Sequence, residues 1–556
     1  MRGWPDRWPY PAGSGGVSAP TAMVATTDRY ASDVGVAALR AGGSAVDAAI
    51  AVSFALAVVN PEAGNLGGGG LLLVRTAEGE VASLDFRSRA PLSATRDMFV
   101  GPGGVATDRS LHGHLAAAVP GSVQGMWEAH SRFGILPWAA LVEPAVGLAM
   151  GFVIGKRFLR SLIAPIVDEL RRFPSSATVF LPGGRVPGAG ETLRQPELAA
   201  TLAGIRDAGP DGFYRGATAD RIVDEMRRGG GLIAHEDLAS YEAVWRDPLT
   251  ISYRGHTIIT MPPPSSGGVV LAQTSHLLDP FSLSALDWQG AEHIHLMAEA
   301  WKRAFADRNQ RLGDPDFVHL PTEELTSPEH GELRGRGISR ERATPSGEIV
   351  ALKGGGREGN HTTHFSIVGP DGDAVAVTTT LNTWYGSKLV VEGTGVLLNN
   401  DMDDFTIASG LPNYFGLIQG EANAIEPGKR MLSAMTPTIV LGDERPDGPL
   451  LIVLGSAGGP RIITTIFQVL SSVLDHGMDL ATAISAPRFH HQHLPDEIAH
   501  EPNGLRAGVG ERLRSMGHQV VAKEEAWGDV HAIGVNEHGV LRGVSDPRRG
   551  GVAVGF

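Results

Sequence analysis

The sequence predicts a mixed α/β protein in which sheets are covered by helices within one large domain. Three observations carry that prediction. Stretches with strand texture alternate with stretches of helical periodicity along the chain, the pattern expected of layered sheets and helices. One helix candidate, Ser44–Val59, is apolar almost all round and therefore belongs inside a core. No internal repeat, low-complexity tract or break in composition marks a flexible linker in the 556 residues, a length that admits several domains or one large layered core.

Residues 1–20 are rich in Pro and Gly and read as an extended lead-in. Asp28–Ala41 and Ser44–Val59 follow as two helices, each opening near a polar cap and separated by Gly42 and Gly43. The glycine run at 67–70 enters a strand at Leu71–Arg75. No Lys-Ser/Thr pair or helix follows it, so close backbone packing is favoured over a phosphate cradle. Val81–Phe86 is a second strand, ending at Arg87. From about Gly113 to Trp245 the texture is mainly helical, and Tyr253–Met261 returns to strand. Ala291–Arg311 is a helix with a small and aromatic face formed by Ala300, Ala304 and Phe305. Residues 319–360 are polar and irregular, suited to an exposed, cleavable segment. After that come strands at Thr362–Val368, Ala374–Thr380, Gly395–Leu398, Thr438–Leu441 and Leu450–Leu454, then helices at Arg461–Leu474 and Leu480–Ser485.

Composition removes several classes of function. A formal net charge of −14 disfavours nucleic acid or an anionic membrane as the main partner. The absence of cysteine excludes disulfides, thiol catalysis and thiolate metal sites. The longest apolar run, Ala48–Val59, is too short to span a bilayer. The first ten residues carry charge but no apolar core, so they do not read as a signal peptide. A cytoplasmic location is expected on that ground, and a periplasmic or secreted one if the true start lies elsewhere.

The chemistry centres on Thr362. Gly369–Asp373 has strong turn chemistry between Val368 and Ala374. If those two residues pair, Thr362 faces Thr380 across a hairpin and their hydroxyls can meet. Thr378–Thr380 also fit as plain strand formers, the reading that pattern alone favours. No Gly-x-Ser-x-Gly elbow occurs, since Gly455–Gly459 has the wrong spacing. A threonine made N-terminal by cleavage after His361 would carry nucleophile and base together. Its α-amino group has an unperturbed pKa of roughly 7.7–8.0 and can take the hydroxyl proton near neutral pH. Gly458 and Gly459, between a strand and a helix, can offer backbone N–H groups to an oxyanion; a simple strand–helix turn fits the same residues. Asp401, Asp403 and Asp404 cluster after a strand and suit either a substrate ammonium or a solvated acidic turn. His490, His491 and His493 are adjacent on irregular backbone, which argues against one zinc ion.

These phrases resemble the γ-glutamyltranspeptidase family of N-terminal-nucleophile hydrolases. The likeness runs along nearly the whole chain. It is densest at Thr362–Ser366 (TTHFS), Leu397–Phe405 (LLNNDMDDF), Ser433–Val440 (SAMTPTIV), Gly455–Thr465 (GSAGGPRIITT) and Pro487–Asp496 (PRFHHQHLPD). Asp85–Arg87 (DFR), Thr95–Phe99 (TRDMF) and Met261–Gly268 (MPPPSSGG) add to it in the first half. The resemblance implies a four-layer αββα sandwich made as a precursor. Self-cleavage between His361 and Thr362 would give a large chain (1–361) and a small chain (362–556) that stay together as a heterodimer. It further implies that Thr362 attacks a γ-glutamyl amide such as that of glutathione, with Thr380 in support and Gly458 and Gly459 holding the oxyanion. Arg87 would take the glutamyl α-carboxylate, and Asp404, assisted by Asn382, Asp401 and Ser433, the α-ammonium. Water or an amino acid or peptide would then accept the acyl group. Neither metal nor cofactor is expected.

Four positions depart from the common family pattern. Ser433-Ala434 replaces a Ser-Ser pair, Ser88 follows Asp-Phe-Arg where Glu is frequent, Pro460 ends the glycine phrase, and Asp401 stands where Gln or Glu is usual. They bear on acceptor use and acyl specificity. A glutaryl-type β-lactam acylase or small oxo-acid amidase is thus the alternative activity, and an uncleaved binding homologue a second one. Ser409–Gly420, with Phe415, resembles a lid present in some members, where an aromatic side chain covers the bound acyl group.

Overall fold

The computed structural model describes residues 4–13, 15–349, 362–408, 410–445 and 447–556. Two seven-stranded sheets dominate it. The strands that build them are, in chain order, β1 (Gly16–Ala19), β2 (Met23–Thr26), β3 (Gly69–Arg75), β4 (Val81–Phe86), β5 (Val244–Arg246), β6 (Leu249–Tyr253) and β7 (His256–Thr260). The second half supplies β8 (Thr362–Val368), β9 (Ala374–Thr380), β10 (Thr438–Leu441), β11 (Leu450–Gly455), β12 (His531–Val535), β13 (Leu541–Ser545) and β14 (Val552–Gly555). One sheet runs β14-β2-β8-β9-β3-β4-β5 and the other β1-β13-β12-β11-β10-β7-β6. Strands from either side of residue 361 are neighbours in both sheets.

Residue alternation decides what each face meets. On β9, Val375 and Val377 join the core that contains Ile50 and Phe54 of the helix α2 (Ala45–Val59). Ala374 and Ala376 instead join the core shared with Val453 and Ile533 of the second sheet. Phe365 and Ile367 of β8 also face the α2 layer, and burying each contributes about 1.5–3 kcal/mol. Beyond the second sheet, Val270 and Leu271 of α3 (Gly267–Leu278), Ala300 and Ala304 of α4 (Ala291–Arg311) and Ile462 and Ile466 of α5 (Arg461–Leu474) close the other side. The result is a helix–sheet–sheet–helix sandwich.

The helix before α2, α1 (Arg29–Arg40), starts at an Asp28 cap, and α2 starts at Ser44, whose hydroxyl accepts the Asp47 amide while the Asp47 carboxylate accepts the Ser44 amide. The glycine run packs as expected. A Cβ on Gly67 would lie 2.2 Å from Leu397 O, and one on Gly68 would lie 2.2 Å from Thr380 O.

Three expectations need correction. Tyr253–Met261 is not one strand: Arg254 and Gly255, at φ of 53° and 80°, turn the chain so that β6 and β7 pair with each other. Gly395–Leu398 contributes only Val396–Leu397, paired with Val390–Val391 in a separate two-stranded sheet. The described part of 319–360 is not irregular, since it holds short helices at Thr322–Leu325, Pro328–Gly335 and Ser346–Ile349. His361 lies outside the described residues, as does Ser409 at the start of the lid-like segment. Among the described residues no helix is long and apolar enough to cross a membrane.

Candidate active site

Thr362 opens β8 and is only 5% exposed. The β8–β9 register pairs Val368 with Ala374 and Thr362 with Thr380, as the turn at 369–373 predicts. The two Oγ1 atoms lie 3.4 Å apart. Thr380 is held from several sides. Asn65 Nδ2 donates to its carbonyl at 3.0 Å, Gly68 packs against the same oxygen, and the Asn382 amide donates to its hydroxyl at 2.9 Å. Asn382 itself sits at φ 74° and anchors its side chain on Asn400 O at 3.0 Å.

The strand β11 ends at Gly455 and α5 begins at Arg461, so Gly458 and Gly459 form the turn between them at φ of 132° and 56°. Pro460, fixed near φ −60°, precedes the first turn of α5. Gly459 lines the same cleft as Thr362 and Thr380. A Cβ there would fall 2.7 Å from the Phe415 ring, so both the backbone conformation and the lid require glycine.

The charged residues enter from β4 and from the turn Asp401–Asp404. Arg87 directly follows β4, is 1% exposed and has its carbonyl bound by Tyr241 Oη at 2.9 Å. Its guanidinium pairs with Asp404 through Nη2 and with Asp401 through Nη1, the latter at 3.3 Å. Ser88 Oγ donates to Asp401 Oδ2 at 2.6 Å. Two of the residues that depart from the family pattern are therefore bonded to each other. The three aspartates diverge. Asp401 is fully buried behind Arg87 and does not line the cleft, whereas Asp404 does. Asp403 accepts from Ser110 Oγ at 2.8 Å and from the Tyr414 amide at 2.9 Å, tying the lid-like segment down. Burial pushes the Asp404 carboxyl up to about 7 against the pull of Arg87, with Asp401 and Asp403 adding to the rise. Burial also lifts Asp403 to about 6.

Ser433, Asn382 and Phe415 line the cleft too. Ser433 Oγ accepts the Met435 amide at 3.1 Å, and its carbonyl accepts from Ser266 Oγ at 2.7 Å. Phe415 is locked by Asn413, whose Oδ1 accepts the Phe415 amide at 3.1 Å, and by Gln492, which donates to the Phe415 carbonyl at 3.0 Å. The cleft as it stands holds about 30 Å³, room for one or two waters. Phe415 is among the side chains that fill it.

The adjacent histidines do not converge. His490 bonds Thr464 and Gln492, His491 pairs with Asp496 at 3.3 Å, and His493 meets Ser346 O. Among the described residues His295, Glu299 and His518 do lie close together. However, Lys302 and Arg303 occupy Glu299, and His295 Nδ1 is bonded directly to His518 Nε2 at 2.7 Å, so neutralised ligands replace the free donors a cation requires.

Two contributors to the cleft escape a reading of motifs: Arg308 on α4 and Leu432, just before Ser433. Arg308 extends the stripe Ala300–Ala304 by four residues. A cation ending an apolar helix stripe is the signal that could have found it.

The model of a family described as gamma-glutamyltranspeptidase matches residues 31–556. The glutathione hydrolase proenzyme of Escherichia coli is 45% identical over 534 residues, covering 96% of this chain and 91% of that protein. The acylase ACY 1 proenzyme of a Pseudomonas species is 36% identical, covering 96% of this chain and 93% of that protein. The crystal structure of a cephalosporin acylase from Bacillus halodurans superposes with a TM-score of 0.86 at 28% identity, over 99% of each chain.

Proposed function

The chain belongs to the gamma-glutamyltranspeptidase family, and from that premise we propose that it cleaves γ-glutamyl amides such as glutathione through an acyl-enzyme on Thr362. The observation that carries this reading is the meeting of Thr362, Thr380, Gly459, Arg87 and Asp404 in one cleft.

Maturation comes first. Thr362 Oγ1 attacks the carbonyl of His361, the C–N bond breaks to free the Thr362 amine, and water hydrolyses the resulting ester to release the His361 carboxylate and the Thr362 hydroxyl. The chains 1–361 and 362–556 remain together because each supplies strands to both sheets. In turnover, the free amine takes the Thr362 hydroxyl proton as Oγ1 attacks the γ-carbonyl. The N–H groups of Gly458 and Gly459 stabilise the oxyanion. Collapse expels the amine leaving group, which receives the proton, and water or an acceptor amine then attacks the ester. Asp404 takes the donor's ammonium and Arg87 lies beside its carboxylate, with Asn382 and Ser433 on the cleft wall. Asp401 acts through Arg87, since its carboxylate is held by Arg87 and Ser88.

Intact mass of the purified protein should show two chains, the smaller beginning at Thr362, and Thr362→Ala should stay uncut. Cleavage of the alanine variant at the same bond would defeat the self-processing scheme. A second reading, an acylase for a substrate without an α-amino group, is favoured by the Arg87–Asp404 ion pair, because such a substrate leaves that pair intact. Turnover of γ-glutamyl and glutaryl anilides decides between them, and faster turnover of the glutaryl compound selects the acylase.

A further inference from the structure

We propose that Arg308 is a second cationic anchor of the acyl pocket and takes the α-carboxylate of the donor, a role that rests on the γ-glutamyl reading above. Three observations lead to it.

First, Arg87 has little left to offer a carboxylate. Nη2 is on Asp404 and Nη1 faces Asp401 at 3.3 Å; Nε and Nη1 have no hydrogen-bond partner among the described residues but are sealed from solvent, so a ligand in the cleft does not reach them as the site stands. The Asp401 carboxylate, where a family member with Gln has a neutral amide, commits that guanidinium to the protein.

Second, Arg308 is a buried cation that lacks a carboxylate partner among the described residues. It is 2% exposed and lines the cleft. Neutral groups fix it: Nε donates to Ser266 Oγ at 3.2 Å, and Nη1 donates to Asn309 Oδ1 at 2.9 Å and Gln419 Oε1 at 2.7 Å. Nη2 has no hydrogen-bond partner among the described residues. An arginine kept in this state without a counter-ion is costly unless a ligand supplies one. Burial accordingly lowers its pKa to about 10, with Asp404 the charge that opposes the fall.

Third, Arg308 is coupled to the place where a hydroxyl is missing. Ser266 Oγ, which accepts from Arg308, donates to Ser433 O, and the next residue is Ala434 in place of the family's second serine. Arg308 and Ala434 line the same cleft, so the guanidinium can supply the donor that the alanine cannot. The charged side chains lining the cleft are Arg87, Arg308 and Asp404, so Arg308 supplies a cation that the carboxylate of a donor would meet there.

The test compares three anilides on the mature enzyme: γ-glutamyl, glutaryl (carboxylate without amine) and 4-aminobutyryl (amine without carboxylate). Arg308→Met should lower kcat/KM for the two carboxylate-bearing substrates about 10- to 100-fold, the range of a charged hydrogen bond. It should leave the 4-aminobutyryl compound within about threefold. Arg308→Lys, which keeps the charge but loses the fork, should show the same selective pattern with a smaller loss. It also supplies the comparison should the methionine variant fail to mature. Parallel losses on all three substrates would make Arg308 a scaffold residue and overturn the anchor. A wild-type enzyme inert toward the γ-glutamyl anilide would instead overturn the functional reading.

Discussion

Replacing Thr380 with valine keeps the shape and β-branching of the side chain and deletes its hydroxyl. That hydroxyl lies 3.4 Å from Thr362 Oγ1 and accepts the Asn382 amide at 2.9 Å. The first contact is long, so its loss costs about 0.5 kcal/mol, the low end for a hydrogen bond. The second loss leaves a buried N–H without its acceptor, on a residue already held at φ 74°, and costs about 1–3 kcal/mol. If about 1–2 kcal/mol of the total reaches the transition state for cleavage before Thr362, processing slows about five- to thirtyfold. Thr380→Ser keeps the oxygen and should stay within about threefold. The assay is the time course of precursor disappearance on a denaturing gel at neutral pH, with thermal unfolding measured in parallel. Wild-type processing in the valine variant would refute the argument. Equal slowing in the serine and valine variants would assign the effect to packing rather than to the hydroxyl.

Gly459→Ala forces a side chain onto φ 56° and into the Phe415 ring. With one oxyanion donor displaced, kcat for the γ-glutamyl anilide should fall about 100-fold, and stopped-flow acylation would show the loss in the chemical step; an unchanged acylation rate would remove the turn from the mechanism. The buried Asp404 carboxyl, raised to about 7, must be ionised to receive an ammonium, so it is neutral and ineffective below that pH and effective above it. The ratio of kcat/KM for γ-glutamyl over glutaryl anilide should therefore climb as pH rises through about 7. The Thr362 amine titrates for both substrates and cancels from the ratio, so a flat ratio between pH 5.5 and 8 would remove Asp404 from ammonium binding.

What the sequence discloses and what it withholds divides along the range of the interactions. The β8–β9 pairing was legible because one turn fixes every residue on the ladder, Thr362 and Thr380 included. The start of α2 was legible for a similar reason, since Ser44 and Asp47 satisfy each other within four residues. The split of Tyr253–Met261 was not, because strand-forming residues continue on both sides of Arg254-Gly255 and hide the turn. The charged half of the site was the least legible. Arg87, Asp401 and Asp404 were each recognisable, but their pairing joins residues more than 300 positions apart, and no local pattern encodes it.

That last point changes how the departures from the family pattern should be weighed. Taken singly, Ser88 and Asp401 look like two losses from a binding site. In the structure they form one unit, with the Ser88 hydroxyl on the Asp401 carboxylate and that carboxylate on Arg87. Arg87 is thereby held between two carboxylates, with Asp401 behind it, fixed by Ser88, and Asp404 on the cleft side. Elsewhere in the cleft, Ala434 offers no hydroxyl and Arg308 stands without a carboxylate partner among the described residues. On the anchor proposal, acyl preference rests on Arg308, Arg87 and Asp404, which line the cleft, while Thr362 and its hairpin partner Thr380 would carry the reaction.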